Sequence, residues 1–173
     1  MVLRTTESAA SAAAADVTGA RVLILEAPYY ARITNPLVAG ALTVIEQAGA
    51  SATRLAVPGA LELPQALAAY IHADRIGRFA GAAKAFDGVV VIGCVIRGET
   101  THYETVCNEA NRGLNNLALR HGVPLGNALL TVENEAQAIT RADGGSANKG
   151  GDAARACLAL IAVERGLKAG TKA

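Results

Sequence analysis

The segment GCVIRGETTHYETV, residues 93–106, places a group of polar side chains directly after an apolar stretch. It combines Glu99, Thr100 and His102 with a glycine, just before a helical pattern begins. A glycine-containing turn that leads into a helix presents free backbone N–H groups, which are natural anion ligands. Threonine hydroxyls add donors, and imidazole titrates near neutral pH, so the segment is a candidate for anion binding with proton transfer.

The same residues also have a purely structural interpretation. Thr101 and Glu104 have the spacing of a capping box, in which each side chain bonds a free N–H at the start of a helix. His102 would then be an exposed residue of the first helical turn. The capping box leaves Arg97 and Thr100 without a role, and the residues alone leave both interpretations open.

Three further polar clusters follow apolar segments: APYYARIT, PGALELP and ENEAQAITRADGGSANKG. Tyr29 in the first cluster either packs in a loop or offers a flat face for a planar ligand. Glu62 in the second suits a helix start, although the exposed backbone before it could read the donors and acceptors of a heterocycle. Arg141 and Lys149 in the third are either solvated charges or phosphate ligands, and Arg has the planar fork that phosphate prefers.

The elements that must position these clusters alternate between strand and helix patterns. Short apolar runs predict strands over residues 21–27, 51–57, 88–95 and 127–132. Apolar residues at helical spacing predict a helix with Asn35 as N-cap and Pro36 next, and further helices over residues 62–73, 103–121, 133–142 and 152–165. This alternation is typical of βαβ units and a parallel sheet. Ligands of such sheets bind beyond the carboxyl ends of the strands, which is where the clusters fall.

The composition narrows the class of protein. The 173 residues are enough for one domain, which we predict over residues 19–173 behind a flexible tail over residues 1–18. The net charge of +1 argues against a nucleic-acid partner. No uninterrupted apolar run reaches the roughly 20 residues that span a bilayer. Cys94, Cys107 and Cys157 lack metal-ligand spacing, which predicts reduced structural thiols in a cytoplasmic protein and no metal site.

Three segments together resemble those of one family. PGALELP, GCVIRGETTHYETVCNEANRGL and LLTVENEAQAITRADGGSANKGGDAA are similar, in order and in register, to segments of lumazine synthases, and the likeness extends from about Gly19 to Arg165. The resemblance implies a flavodoxin-like three-layer αβα sandwich around a central parallel four-stranded sheet. It implies a cofactor-free condensation of 5-amino-6-(D-ribitylamino)uracil with 3,4-dihydroxy-2-butanone 4-phosphate. The product would be 6,7-dimethyl-8-ribityllumazine, with release of phosphate and water, in the penultimate step of riboflavin biosynthesis.

The resemblance also implies roles for individual residues. Tyr29 would stack on the pyrimidine ring, His102 would transfer protons, and Arg141 would clamp the phosphate from a neighbouring subunit. The other residues expected to bind substrate are Ala60, Leu61, Glu62, Cys94, Val95, Ile96, Glu99, Thr100, Asn127 and Lys149. The expected partners are the two small-molecule substrates, further copies of the chain and riboflavin synthase, and no metal or cofactor is implied.

The chain departs from the family's pattern at three places. Asn127 stands where the family often has a Phe that lines the ring pocket from the adjacent subunit. Stacking by that residue is therefore not implied for this chain, and a polar contact is the alternative. The link over residues 74–86 is longer than in compact members. RADGGSANKG lacks one of the lysines often found there, which leaves Lys149 as its basic group.

Two other classes share the strand and helix alternation, and their site residues differ. A flavin carrier of the flavodoxin type needs a phosphate loop rich in Ser, Thr and Gly after its first strand, where this chain has APYYARIT. A receiver domain needs an acidic pair after the first strand and an Asp at the end of the third, where this chain has Cys94. A paralogue that binds lumazine or riboflavin without making it stays open.

The last predicted helix indicates self-association. It is apolar on more than one face, with Ala153, Cys157, Leu160 and Ile161 on one and Ala154, Leu158 and Ala162 on another. A helix that is apolar all round is normally buried, and we expect a second subunit to cover part of it. Contacts between unlike surfaces can close into a ring, and the resemblance implies a pentamer or a multiple of pentamers.

Overall fold

The computed structural model describes residues 16–143 and 148–170 of the chain. Over these residues the chain forms a four-stranded sheet with strand order β2-β1-β3-β4, and all neighbouring strands are parallel. The strands are β1 (Arg21–Glu26), β2 (Ser51–Ala56), β3 (Gly88–Ile96) and β4 (Leu125–Val132). A short 3-10 turn (Pro28–Tyr30) precedes α1 (Ala31–Gln47), and the other helices are α2 (Glu62–His72), α3 (His102–His121), α4 (Glu135–Ala142) and α5 (Lys149–Lys168).

Helices cover both faces of the sheet, so the molecule has three layers. Helices α1, α4 and α5 share one core with the sheet, which includes Ile24 and Leu37. Helices α2 and α3 share the other, which includes Leu25 and Leu114. Strand β3 is buried over Gly88–Cys94 because it lies between β1 and β4 with a helical layer on each face. The predicted three-layer αβα sandwich with a parallel four-stranded sheet is confirmed.

The start of α1 differs from the prediction. The sequence pattern placed the N-cap at Asn35, whereas the helix begins at Ala31 and Pro36 lies inside it. A proline inside a helix removes one backbone hydrogen bond, and the helical turn before Pro36 has Ile33 buried in the core. Helix α1 therefore follows directly after the Pro28–Tyr30 turn, with no loop between them.

Asn148 caps the start of α5, which begins at Lys149, three residues before the predicted start. Its Oδ1 accepts from the Gly151 N–H at 3.0 Å, and its Nδ2 donates to the carbonyl of Pro36 in α1 at 3.0 Å. The two helices approach so closely that a Cβ at Gly150 would lie 1.9 Å from the Leu37 carbonyl oxygen. Asn148 thus sets the helix start and the α1–α5 contact together, which the sequence pattern alone does not show.

The apolar faces of α5 are mostly covered inside the subunit. Ala153, Ala154, Cys157, Leu158 and Ile161 are buried against α1 and the sheet. Leu160, Val163 and Leu167 remain exposed. Within one subunit, only this exposed strip of α5 is therefore left for the second subunit that the sequence analysis expects.

Residues Asp16–Thr18, at the end of the predicted tail, contact α5. One Nη of Arg165 donates to the carbonyl of Asp16 at 2.7 Å and to that of Thr18 at 3.1 Å. The rest of the predicted tail, residues 1–15, lies outside the described residues. In the part of the chain that the structure describes, no helix is long and apolar enough to cross a membrane.

Candidate active site

A cavity of about 340 Å³ opens at the carboxyl ends of the strands. Its lining residues are Ala27, Tyr29, Tyr30, Gly59, Ala60, Leu61, Glu62, Cys94, Val95, Ile96, Gly98, Thr100, His102, Tyr103 and Val106. They come from the segment after β1, the segment that joins β2 to α2, the end of β3 with the turn after it, and the start of α3. Because parallel strands end at one edge of the sheet, the fold brings together segments that lie far apart in sequence.

Two tyrosines form the wall of the cavity after β1. Tyr29 is 75% exposed, and its ring meets that of Tyr30 edge to face, with centroids 5.0 Å apart and planes at 76°. Burial raises the pKa of Tyr30, with a smaller contribution from the neighbouring Tyr29, so its phenol stays protonated at neutral pH. The exposed ring of Tyr29 is therefore available to stack on a planar ligand.

The end of β3 contributes an uncharged part of the lining. Cys94, Val95 and Ile96 reach the cavity as the strand leaves the core. Burial of Cys94 raises the pKa of its thiol to about 11. Since the thiolate is the nucleophilic form, Cys94 contributes at neutral pH as a small apolar group.

The turn between β3 and α3 brings hydroxyl, imidazole and backbone donors to the cavity. The N–H of His102 donates to Thr100 Oγ1 at 3.4 Å. The predicted capping box is wrong, because Thr101 occupies the N-cap position without a side-chain cap hydrogen bond. Glu104 pairs with Arg97 instead. The start of α3 therefore has no side-chain cap from Thr101 over its first N–H groups, as an anion site requires.

Four residues expected at the site do not line the cavity of their own subunit: Glu99, Asn127, Arg141 and Lys149. Asn127 lies on β4, and its Nδ2 donates to Asn111 Oδ1 at 2.8 Å. Arg141 is exposed on α4 and donates to a backbone carbonyl of its own helix. The Nζ of Lys149 lies 2.7 Å from a carboxylate oxygen of Asp152.

The cavity has few charged side chains, because Arg141 and Lys149 lie outside it. Among the described residues, no Lys or Arg lines it, and Glu62 is its one carboxylate. Among the described residues of the same subunit, a phosphate in this cavity would meet hydroxyl, imidazole and backbone donors and no Lys or Arg side chain. The described residues also contain no group of three or more His, Cys, Asp or Glu side chains that could hold a metal ion.

Sequence reasoning missed part of the cavity wall. Tyr103 and Val106 belong to the apolar residues at helical spacing that predict the helix over residues 103–121, and the structure shows that both line the cavity. Their position could have indicated this, because they lie in the first turns of a helix that starts beside the carboxyl ends of the strands, where ligands bind. Segment 144–147 of the predicted phosphate loop lies outside the described residues.

Comparison with known proteins identifies the family. Residues 19–165 match the sequence model of 6,7-dimethyl-8-ribityllumazine synthase. The chain belongs to the lumazine synthase family. It is 48% identical to the 6,7-dimethyl-8-ribityllumazine synthase of Azorhizobium caulinodans, over 94% of this chain and 98% of that protein. It is 46% identical to the enzyme of that name from Xanthobacter autotrophicus, over 98% of this chain and 100% of that protein.

A third relative is 6,7-dimethyl-8-ribityllumazine synthase 1 of Rhodopseudomonas palustris, at 46% identity over 88% of this chain and 90% of that protein. Membership of the lumazine synthase family confirms the resemblance that the three sequence segments carry. It places the chain among transferases, in a lumazine synthase role in riboflavin biosynthesis.

Proposed function

We propose that the chain condenses 5-amino-6-(D-ribitylamino)uracil with 3,4-dihydroxy-2-butanone 4-phosphate. The products are 6,7-dimethyl-8-ribityllumazine, phosphate and water, in the penultimate step of riboflavin biosynthesis. The observation that carries this proposal is one cavity in which an exposed tyrosine ring, a neutral strand end and a helix start without a side-chain cap from Thr101 meet. Membership of the lumazine synthase family supports the same reaction.

The pyrimidine binds between Tyr29 and the end of β3. The exposed ring of Tyr29 stacks on the heterocycle, and the backbone of Cys94, Val95 and Ile96 offers donors and acceptors to its edge. The segment Ala60–Glu62 lines the same cavity and is the part of the wall that we assign to the ribityl chain.

The phosphate binds at the turn that contains Gly98 and Thr100, with Glu99 contributing its backbone. Backbone N–H groups at a helix start and a threonine hydroxyl are suitable ligands for a dianion. Because no Lys or Arg among the described residues lines the cavity, we assign the counter-charge to another subunit. We assign it to Arg141 and Lys149 of the partner subunit.

The site is therefore shared between subunits of a ring, which we propose to be a pentamer or an assembly of pentamers. Two unlike surfaces, the cavity rim and the α4–α5 segment, would meet at each contact, and such contacts close into rings. Asn127 of the partner subunit would bring a polar group to the ring pocket. The proposed location is the cytoplasm, and association with riboflavin synthase stays a prediction.

The residues of the cavity suffice for the proton transfers of the reaction. An amine attacks the ketone to form an imine, phosphate leaves, and a second amine closes the ring. His102 lines the cavity beside Gly98 and Thr100, and we assign to it the proton transfers of imine formation and elimination. Holding two reactive substrates together supplies much of the acceleration. Imine formation, phosphate elimination and ring closure need no metal or redox cofactor.

The test is to mix both substrates with the purified protein and follow lumazine fluorescence and phosphate release together. The proposed reaction yields the two products in equal amounts. A control without protein gives the rate of the spontaneous condensation. Binding of lumazine or riboflavin without any acceleration would instead indicate a paralogue that binds these compounds, and would overturn the proposal.

A further inference from the structure

Arg97, the first residue after β3, joins three elements beside the cavity. Its guanidinium pairs with Glu104 in the first turn of α3 and with Glu133 directly after β4, where Nε lies 2.6 Å from Oε2. Its backbone N–H donates to the Val132 carbonyl at 2.9 Å. The central carbon of the guanidinium lies 4.2 Å from the centroid of the Tyr103 ring.

These contacts indicate that the Arg97 side chain orients the elements around it and does not bind substrate. Two carboxylates already occupy the guanidinium, so Arg97 is not free to serve as the missing phosphate ligand. Its side chain is 38% exposed, and exposed ion pairs add little to global stability. A planar guanidinium that bridges two carboxylates does, however, fix the relative orientation of the groups it joins.

The turn over residues 98–101 depends on such an anchor. Thr101 supplies no side-chain cap, and the His102 N–H to Thr100 Oγ1 bond is long at 3.4 Å. Arg97 precedes this turn and Glu104 follows it, so their pairing closes the turn from both ends. Tyr103, against which Arg97 stacks, lines the cavity.

We propose that Arg97 is a positioning residue: by tying the start of α3 to the end of β4, it holds Thr100, His102 and Tyr103 in place around the cavity. The inference rests on the proposed function for its kinetic consequence, but its structural consequence can be measured without any reaction. The pairing with Arg97 lowers the pKa of Glu104, so this contact is present at neutral pH and is lost as the pH falls through the lowered pKa.

The first experiment measures amide hydrogen exchange in the unliganded protein. In Arg97→Met, which keeps an apolar side chain of similar length, the amides of residues 98–104 should exchange about fivefold faster or more. The amides of β1 and β3 should not change. Arg112→Met is the matched control, because Arg112 pairs with Glu109 on the exposed side of α3 and does not line the cavity. Unchanged exchange over residues 98–104 would overturn the inference.

The second experiment separates positioning from folding by steady-state kinetics. We expect kcat of Arg97→Met to fall about tenfold, because the phosphate turn and His102 lose their alignment. The KM for the phosphorylated ketone should rise, and the KM for the pyrimidine should stay within about twofold, since the ends of β1 and β3 are held by the sheet. A loss of folded protein alone would lower the rate and leave both KM values unchanged, which would contradict the proposal.

Unpaired carboxylates could also disturb the site, and a triple variant removes them. Arg97→Met combined with Glu104→Gln and Glu133→Gln has no unpaired carboxylate at these positions, and it still lacks the link that Arg97 makes between α3 and the end of β4. A persistent kinetic defect supports positioning, and full recovery would overturn it.

Should Arg97→Met not fold, Arg97→Lys is the second variant, because it keeps the charge without the planar fork. Its amide exchange and its kcat should change in the same directions, by about threefold. A wild-type protein without lumazine synthase activity would defeat the proposed function, while the exchange result would still decide the structural part.

Discussion

The cavity at the carboxyl ends of the strands and the α4–α5 segment carry different halves of the chemistry expected of a lumazine synthase. The cavity has aromatic and apolar walls, neutral donors and one carboxylate. The α4–α5 segment has Arg141 and Lys149, but neither lines the cavity of the same subunit. Among the described residues, the cavity of one subunit has walls suited to an uncharged heterocycle, and we propose that a second subunit supplies the basic groups for the phosphate. The predictions below test this division.

The largest effect should come from Arg141. Arg141→Ala should lower kcat/KM for the phosphorylated ketone about 100-fold, because a charged hydrogen-bond pair to phosphate is lost. Binding of the pyrimidine should change by less than about twofold, and Arg141→Lys should also be impaired because Lys lacks the fork. Steady-state kinetics with each substrate varied in turn measures both. Arg120→Ala, at an exposed position in the last turn of α3, is the control. A wild-type KM for the ketone in both Arg141 variants would remove Arg141 from the site.

Tyr29 tests the other half of the comparison. Tyr29→Ala should weaken pyrimidine binding about 30-fold, since stacking of a base on an aromatic ring contributes about 1–3 kcal/mol. Tyr29→Phe keeps the ring and should bind as the wild type does. Calorimetric titration with a non-reacting pyrimidine analogue gives both affinities. Equal affinity of Tyr29→Ala and wild type would show that the exposed ring is not the stacking surface.

His102 should have a smaller effect, confined to turnover. His102→Ala should slow kcat about tenfold, less than the usual contribution of about 10²–10⁴-fold from general acid–base catalysis, because substrate positioning survives. Affinity for a substrate analogue should be unchanged. His72→Ala, exposed at the end of α2, is the matched control for loss of an imidazole. Unaltered turnover in His102→Ala would exclude proton transfer by this residue.

Mixed assemblies test directly whether the two regions belong to different subunits. His102→Ala and Arg141→Ala subunits are unfolded together in equal amounts and reassembled. If a site takes His102 from one subunit and Arg141 from the next, random mixing restores about one site in four around a closed ring. If both come from one subunit, no site is restored. Activity no higher than the mean of the two parents would therefore contradict a shared site.

Some features of the fold and the site could be predicted from the sequence, and others depend on tertiary contacts. The strand positions and the convergence of Tyr29, Glu62 and His102 on one edge were predictable, because apolar runs and parallel-sheet geometry are local or general rules. The start of α1 was not, because the turn before Pro36 is helical with Ile33 buried in the core, a tertiary contact that the proline pattern does not reveal. The capping box failed because Arg97, though only seven residues from Glu104, pairs with it through a fold-dependent contact.

By itself, the sequence determined the parallel α/β class, the family and most of the segments that line the cavity. These follow from the period of the apolar residues and from motifs that are contiguous in the chain. The tertiary structure decided which charges reach the cavity, that Tyr103 is part of its wall, and that Arg97 is bound by Glu104 and Glu133. The physical reason is that a side chain's partners depend on how distant elements pack, and periodicity along one element contains no information about that packing.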